Sequence, residues 1–369
     1  MKTAASIYAL SLDQIEEAIA AGGDKRTILV QGHMGTGKSS LLRTLAKRFT
    51  KHTACYFDCT TKDLGDITIP QMQTLDEQGY VRYVTNEELG VHLGKPIILM
   101  IDEYGKANPA VKNAMLRLML ERKIGSYELH GDSIVFATTN LGAEGVGDLL
   151  PPHARNRMSV ITSRKPTNLE WIEWGIANGV DHTLLGWAKD NPQIFQSFED
   201  IAEPCDAQGN PTNPYVYHPR VPMTAFVTPR SLEAASDWLK VREKFDDQTL
   251  TALLMGTIGE RGAMDLMAHV KLSDQLPKRD DIKRDPMNAR VPDSSAATCM
   301  VVYRSLSTME ADFIDPWMDY MMRLDKEAQG MFANGVRNHK YPKIQMVMTN
   351  KKFTDWARNN NYLFTADKK

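Results

Sequence analysis

Residues 32–39 read GHMGTGKS, the complete G-x-x-x-x-G-K-[ST] spacing of a phosphate-binding loop. The chemistry it implies is the capture of a nucleoside triphosphate with magnesium. Gly32, Gly35 and Gly37 allow the backbone to wrap the phosphates, so that the N–H groups of His33, Met34 and Thr36 turn inward. Lys38 reaches the β and γ oxygens, the Ser39 hydroxyl ligates the metal, and Ser40 opens a helix whose N-terminus points at the anion. Further on, PIILMIDE at 96–103 presents two carboxylates, Asp102 and Glu103. Asp102 is a candidate magnesium ligand, directly or through water, and Glu103 a candidate for orienting and polarising the attacking water.

Both motifs need a sheet to hold them. The apolar run at 27–30 reads as a buried strand entering the loop, and 40–49 as the helix leaving it. The unbroken aliphatic run at 97–101 reads as a strand covered on both faces, delivering the acidic pair at its C-terminal end, where open α/β sheets place ligands. Residues 54–57 and 133–140 read as further strands, and 11–21 and 110–121 as helices with apolar residues at helical spacing. Alternation of this kind predicts an α/β fold with a parallel sheet. Residues 62–89 are too long for a simple connection and read as an insertion with short β-like pieces such as 80–84.

At Asn140, which ends the strand SIVFATTN, enough motifs have accumulated to carry a resemblance. The succession of phosphate loop, IDE, ATTN, LPPHARNRM from 150 and TPRSLEAA from 228 resembles the AAA+ ATPases, and within them the MoxR-like branch. The resemblance implies a P-loop NTPase core at 1–165, a helical lid at 166–272 and a C-terminal extension at 273–369 that packs on the lid or a partner. It assigns Asn140 to hydrogen-bonding the γ-phosphate or the attacking water, Arg157 to a finger acting on a neighbouring subunit's ATP, and Arg230 to the lid's sensor of the same nucleotide. Met158 stands where the family has phenylalanine, which leaves Arg155 open as a substitute finger. The segments 62–89 and 125–132 fall where this branch carries its helix-2 insert and pre-sensor hairpin.

The rest of the chain narrows the classes. With 369 residues, a formal charge of −2 and 24% charged residues, global charge implies neither a nucleic acid nor an anionic membrane. No apolar run approaches a membrane span, residues 1–12 lack the layout of a secretory signal, and the expected location is cytoplasmic. Four cysteines are too few for a disulfide framework, and Cys55 and Cys59 read as buried thiols. Residues 168–178, 182–189 and 231–240 read as helices, 203–222 as an extended loop, 274–292 as a charged linker, and 309–324 as an amphipathic stretch that packs on the lid or docks a partner.

Together these features predict an ATP hydrolase using ATP and Mg²⁺, working as a homo-oligomeric ring, hexameric by resemblance, on a protein client. The resemblance points to a client with a von Willebrand A domain. Two alternatives stand beside it: a nucleic-acid motor, for which Lys62, Arg82 and Lys123 supply the basic side chains, and an ATP-gated scaffold with slow turnover.

Overall fold

A computed structural model describes residues 8–75, 78–140, 155–201 and 203–364. The chain divides into two compact units, 1–165 and 166–369. The first opens with helix α1 (Leu12–Gly22), whose start is fixed by a capping box: Gln14 N–H donates to Ser11 Oγ, and Ser11 N–H to the Gln14 side chain. Strand β1 (Ile28–Gly32) leads through the glycine loop to α2 (Ser40–Arg48), followed by β2 (Thr53–Asp58). An antiparallel hairpin, β3 (Thr68–Leu75) and β4 (Gln78–Thr85), fills the inserted segment before β5 (Ile97–Asp102) and α3 (Pro109–Glu121). A two-residue hairpin, β6 (Lys123–Ile124) and β7 (Tyr127–Glu128), then precedes β8 (Ile134–Asn140) and β9 (Ser159–Thr162).

Five of these strands form one parallel sheet in the order β2-β5-β8-β1-β9. Every residue of β5 and β8 is buried, as suits central strands whose first residues, IILMI and IVFA, are apolar. One face packs Ile15, Ile19, Leu41 and Leu45 from α1 and α2; the other packs Val111, Met115 and Leu118 from α3. Because the strands run in parallel, their C-terminal ends share one edge. The register sets Gly32 beside Asn140, Asp58 beside Asp102, and Ile101 beside Ala137. The inserted hairpin instead keeps apolar side chains in water, with Met72 75% and Ile69 60% exposed.

The second unit is helical: α4 (Asn168–Ala177), α5 (His182–Asp190), α6 (Pro229–Lys240), α7 (Asp247–Asp274), α8 (Arg279–Arg284), α9 (Ser295–Thr308), α10 (Ile314–Met321), α11 (Lys326–Arg337), α12 (Ile344–Met348) and α13 (Lys351–Asn359). One hydrophobic cluster runs through it from Trp171 to Trp356. The amphipathic stretch at 309–324 lies inside that cluster, because Phe313, Ile314, Trp317, Met318 and Met321 are all buried, and only Met322 is exposed among its large apolar side chains. It is core rather than an open docking face. The charged segment 274–292 is tied down in turn, by Arg323 Nη1 donating to the carbonyls of Pro286 and Ala289 and by Tyr320 Oη donating to that of Arg290. Gly259 breaks α7 at φ 81°, and a Cβ there would lie 2.4 Å from the Ala225 carbonyl oxygen, so only glycine fits. Among the described residues no helix is long and apolar enough to cross a membrane.

A buried polar knot sits between α5, α7 and α9. Arg304 Nε donates to His182 Nε2 at 3.0 Å, while its Nη2 donates to Ser273 O and Oγ at 2.9 and 2.8 Å. A guanidinium can only donate, so His182 Nε2 must be the acceptor and the ring is neutral. Burial, with the Arg304 and Arg242 charges opposing Asp181, holds the His182 pKa down to about 4. The folded value lies below the unfolded value of about 6.5, so this stability is complete above pH 6.5 and is lost as pH falls toward 4. Chemical denaturation at pH 7 and pH 5 should show His182→Gln losing less stability on acidification than the parent, by about 1–2 kcal/mol. Equal losses would remove His182 from the acid response.

Candidate nucleotide-binding site

The loop after β1 is shaped by its glycines. Gly35 (φ 70°) and Gly37 (φ 96°) lie in the left-handed region. Thr36 Oγ1 donates to the His33 carbonyl at 3.0 Å, and Ser40 Oγ to that of Gly37 at 2.7 Å, which brace the loop from within. Lys38 is only 7% exposed, and its ammonium donates to Gly32 O (2.8 Å), His33 O (2.7 Å) and Asn140 Oδ1 (2.9 Å). A buried cation needs such acceptors, and the Gly32–Asn140 register supplies the third.

Asn140 faces both ways. With its oxygen committed to Lys38, its Nδ2 donates to Glu103 Oε1 at 3.0 Å, and Glu103 Oε2 pairs with Lys106 at 3.2 Å. A continuous polar chain therefore runs from Lys38 through Asn140 and Glu103 to Lys106. Glu103 has φ 50°, a left-handed conformation that costs a non-glycine residue about 1 kcal/mol or more and needs surrounding contacts to hold it. Its N–H, pinned to Asp102 Oδ1 at 3.0 Å, is one of them.

Asp102 is buried and fully engaged. Oδ1 accepts from the Thr138 hydroxyl as well as the Glu103 N–H; Oδ2 accepts from Tyr56 Oη at 2.9 Å and faces Ser39 Oγ at 3.4 Å. Ser39 is the N-cap of α2 but makes no side-chain cap, so its hydroxyl is turned to the carboxylate rather than to the helix. Burial and the Asp102 charge push the Tyr56 phenol well up, which keeps it protonated and donating. Ser39 and Asp102 fit a small hard cation, because Mg²⁺ takes oxygen ligands, one or two from protein and the rest from water and phosphate. Among the described residues no cluster of three or more His, Cys, Asp or Glu forms an alternative cage.

The structure brings together the loop from Gly32 to Ser40, Asp102, Glu103 and Asn140. Arg155 and Arg157 are exposed on the approach to β9, with Met158 buried beside them, and neither has a hydrogen-bond or ion-pair partner among the described residues. Residues 150–154 of the same motif lie outside the described residues. Arg230 belongs to the second unit, exposed in the first turn of α6, which starts with a Thr228–Ser231 capping box behind Pro229. Tyr56, Thr138 and Lys106 were not legible as site residues. Thr138 stands within ATTN and becomes meaningful only through the β5–β8 register, and Tyr56 only through that of β2 and β5.

Residues 27–163, the stretch that builds this edge, match the family model described as "AAA domain (dynein-related subfamily)". Residues 27–163 are an AAA domain. No curated protein matches the chain. Among solved structures the chain is similar to a putative ATPase from Cytophaga hutchinsonii, 19% identical over 46% of this chain and 51% of that one, with a TM-score of 0.34. An Hsp104 structure with ATPγS and FITC casein gives 17% identity over 47% and 36% of the two chains, TM-score 0.35. A mutant of Thermotoga maritima RuvB gives 16% over 75% and 79%, TM-score 0.37. The chain thus spans about half the length of the Cytophaga hutchinsonii protein and about a third of the Hsp104 chain.

Within the AAA domain, the Tyr56 phenol holds one oxygen of the proposed metal carboxylate in place. Tyr56→Phe should weaken ATP binding measured with Mg²⁺ by about tenfold, the worth of a hydrogen bond to a charged group, and leave binding in excess chelator unchanged. An equal loss under both conditions would contradict a role through Asp102.

Proposed function

We propose that this chain is an ATP-hydrolysing AAA+ machine of the MoxR-like type that works as a homo-oligomeric ring, hexameric by resemblance, to remodel or mature a protein partner. The observation that carries the reading is the Asn140 amide, held between the Lys38 ammonium and the Glu103 carboxylate. Phosphoryl transfer asks a protein mainly for position and charge. Lys38 presents its charge where the terminal phosphates arrive, and Glu103 at the same edge orients and polarises the water. Asn140, bonded to both, holds the distance between them and donates to the γ-phosphate or the water. Ser39 and Asp102 would hold Mg²⁺, which when bound neutralises charge developing on the phosphate oxygens.

In this reading residues 166–272 act as the lid, Arg230 reports on the nucleotide from it, and residues 273–369 extend it. The exposure of Arg157, which has no partner among the described residues, supports its assignment to a neighbour's ATP, since a finger used in trans reaches out of its own subunit. Arg155 has the same exposure and remains the substitute. A cytoplasmic setting suits an ATP-consuming chain of this composition.

The nature of the partner is argued from the inserted hairpin. It holds Ile69, Met72, Val81 and Tyr83 in water, as suits contact with a protein. The basic side chains a nucleic-acid motor would use are already engaged: Lys62 pairs with Glu88 at 2.8 Å, Lys123 with Glu128 at 3.2 Å, and Arg82 lies over the Tyr127 ring at 5.6 Å. Sequence-independent binding of nucleic acid draws most of its free energy from free cations meeting phosphates. A client with a von Willebrand A domain fits the reading through the family resemblance alone.

A shared site makes a mixing experiment decisive. Arg157→Ala and Glu103→Gln should each hydrolyse ATP poorly, since a trans arginine is worth about 10³–10⁵ in rate. Mixed rings should recover activity at the interfaces where an intact Glu103 meets an intact Arg157. No recovery at any ratio, in mixed assemblies verified by native mass spectrometry, would count against ATP at a subunit interface.

A further inference from the structure

In the second unit, the loop between α5 and α6 brings a cysteine and a histidine together at a place unrelated to the phosphate loop. Cys205 Sγ lies 3.3 Å from His218 Nε2. His218 is 4% exposed, and its ring is packed edge-on against Phe198 with centroids 4.8 Å apart, so its orientation is fixed. Its other nitrogen, Nδ1, accepts the Arg220 backbone N–H at 3.1 Å. A neutral imidazole carries one hydrogen, and with Nδ1 serving as acceptor that hydrogen is on Nε2. The N–H therefore faces the sulfur, in place to donate to it when the cysteine reacts as a thiolate.

The surroundings leave the cysteine only partly covered. Cys205 is only partly buried and forms the base of a turn closed by a bridge to Pro211 and by Thr212 N–H donating to the Pro204 carbonyl at 3.0 Å. Asp206, the neighbouring carboxylate, is taken up within the turn, where Oδ1 accepts the N–H groups of Gln208 (2.9 Å) and Asn210 (2.8 Å) and Oδ2 accepts from the Asn210 amide. The other three cysteines differ. Cys55, Cys59 and Cys299 are buried, and burial pushes each thiol up, Cys59 to about 12.

We propose that Cys205 and His218 form a reactive-thiol site at which a hydroperoxide reversibly oxidises the cysteine. The thiolate attacks one peroxide oxygen; the S–O bond forms as the O–O bond breaks. Sulfur loses two electrons, and the leaving oxygen takes a proton from water, giving a sulfenic acid and an alcohol, or water when the oxidant is hydrogen peroxide. Loop 203–222 holds no second cysteine, so the sulfenic acid passes to a small external thiol, forming a mixed disulfide and releasing water.

The test uses the full chain with hydrogen peroxide and dimedone, and reads sulfenic-acid labelling of each cysteine by peptide mass spectrometry. Cys205 should label first, about tenfold ahead of the other three, and faster in the folded protein than in urea, because the histidine donor exists only in the fold. His218→Phe, which keeps a ring but no donor, should slow labelling at Cys205 by about fivefold or more, and His218→Gln, which can still donate, should recover part of it. Labelling of Cys205 that is equal or slower in the folded parent overturns the proposal, whatever the variants do. So does a folded His218→Phe that labels at the parent rate.

Discussion

The first unit is organised around the burial of one positive charge. Lys38 is held away from water with its ammonium donating to two carbonyls of its own loop and to Asn140 from a neighbouring strand, as a buried cation requires. The parallel pairing of β1 with β8 sets Asn140 opposite Gly32, and that of β5 with β8 brings Asp102 to Thr138. Sheet order, loop shape and acidic pair are therefore not separate features. A shift of one residue in the β1–β8 register would take Asn140 away from Lys38, and one in the β5–β8 register would take it away from Glu103.

The same edge shows where regular structure gives way to chemistry. Glu103 leaves β5 in a left-handed conformation, strained for a side chain, and the contacts that tolerate it are the ones that aim its carboxylate. Strain of this kind persists where the surroundings over-determine the position. Tyr56 and Thr138 complete the cage around Asp102 from strands on either side, so the carboxylate is oriented by the sheet rather than by its own loop.

Much of this was legible in the residues. The phosphate loop and the IDE pair announce themselves by type and spacing, Asn140 only through the resemblance that ATTN helps to carry, and the buried strand at 97–101 by its unbroken aliphatic run. Tyr56, Thr138 and Lys106 did not, because their meaning arises from pairings between strands or from a turn, which a linear pattern does not state. Strand β9 is too short to stand out by periodicity, and the inserted segment shows only β-like pieces such as 80–84, not the full lengths of β3 and β4, because both its faces mix polar and apolar side chains. The stretch at 309–324 misleads in the opposite direction. Its Met and aromatic residues suit a docking surface as well as a core, and the packing of α10 with α11 and α13 decides for the core.

The central claim is that Lys38 holds the nucleotide while Glu103 acts only on the water, with Asn140 keeping the two in register. The direct measurement is a paired titration of a fluorescent ATP analogue and a phosphate-release assay on Lys38→Ala and Glu103→Gln. The account predicts that Glu103→Gln binds as tightly as the parent yet releases phosphate about a hundredfold more slowly, whereas Lys38→Ala loses binding itself. Phosphate release by Glu103→Gln within about threefold of the parent would contradict it.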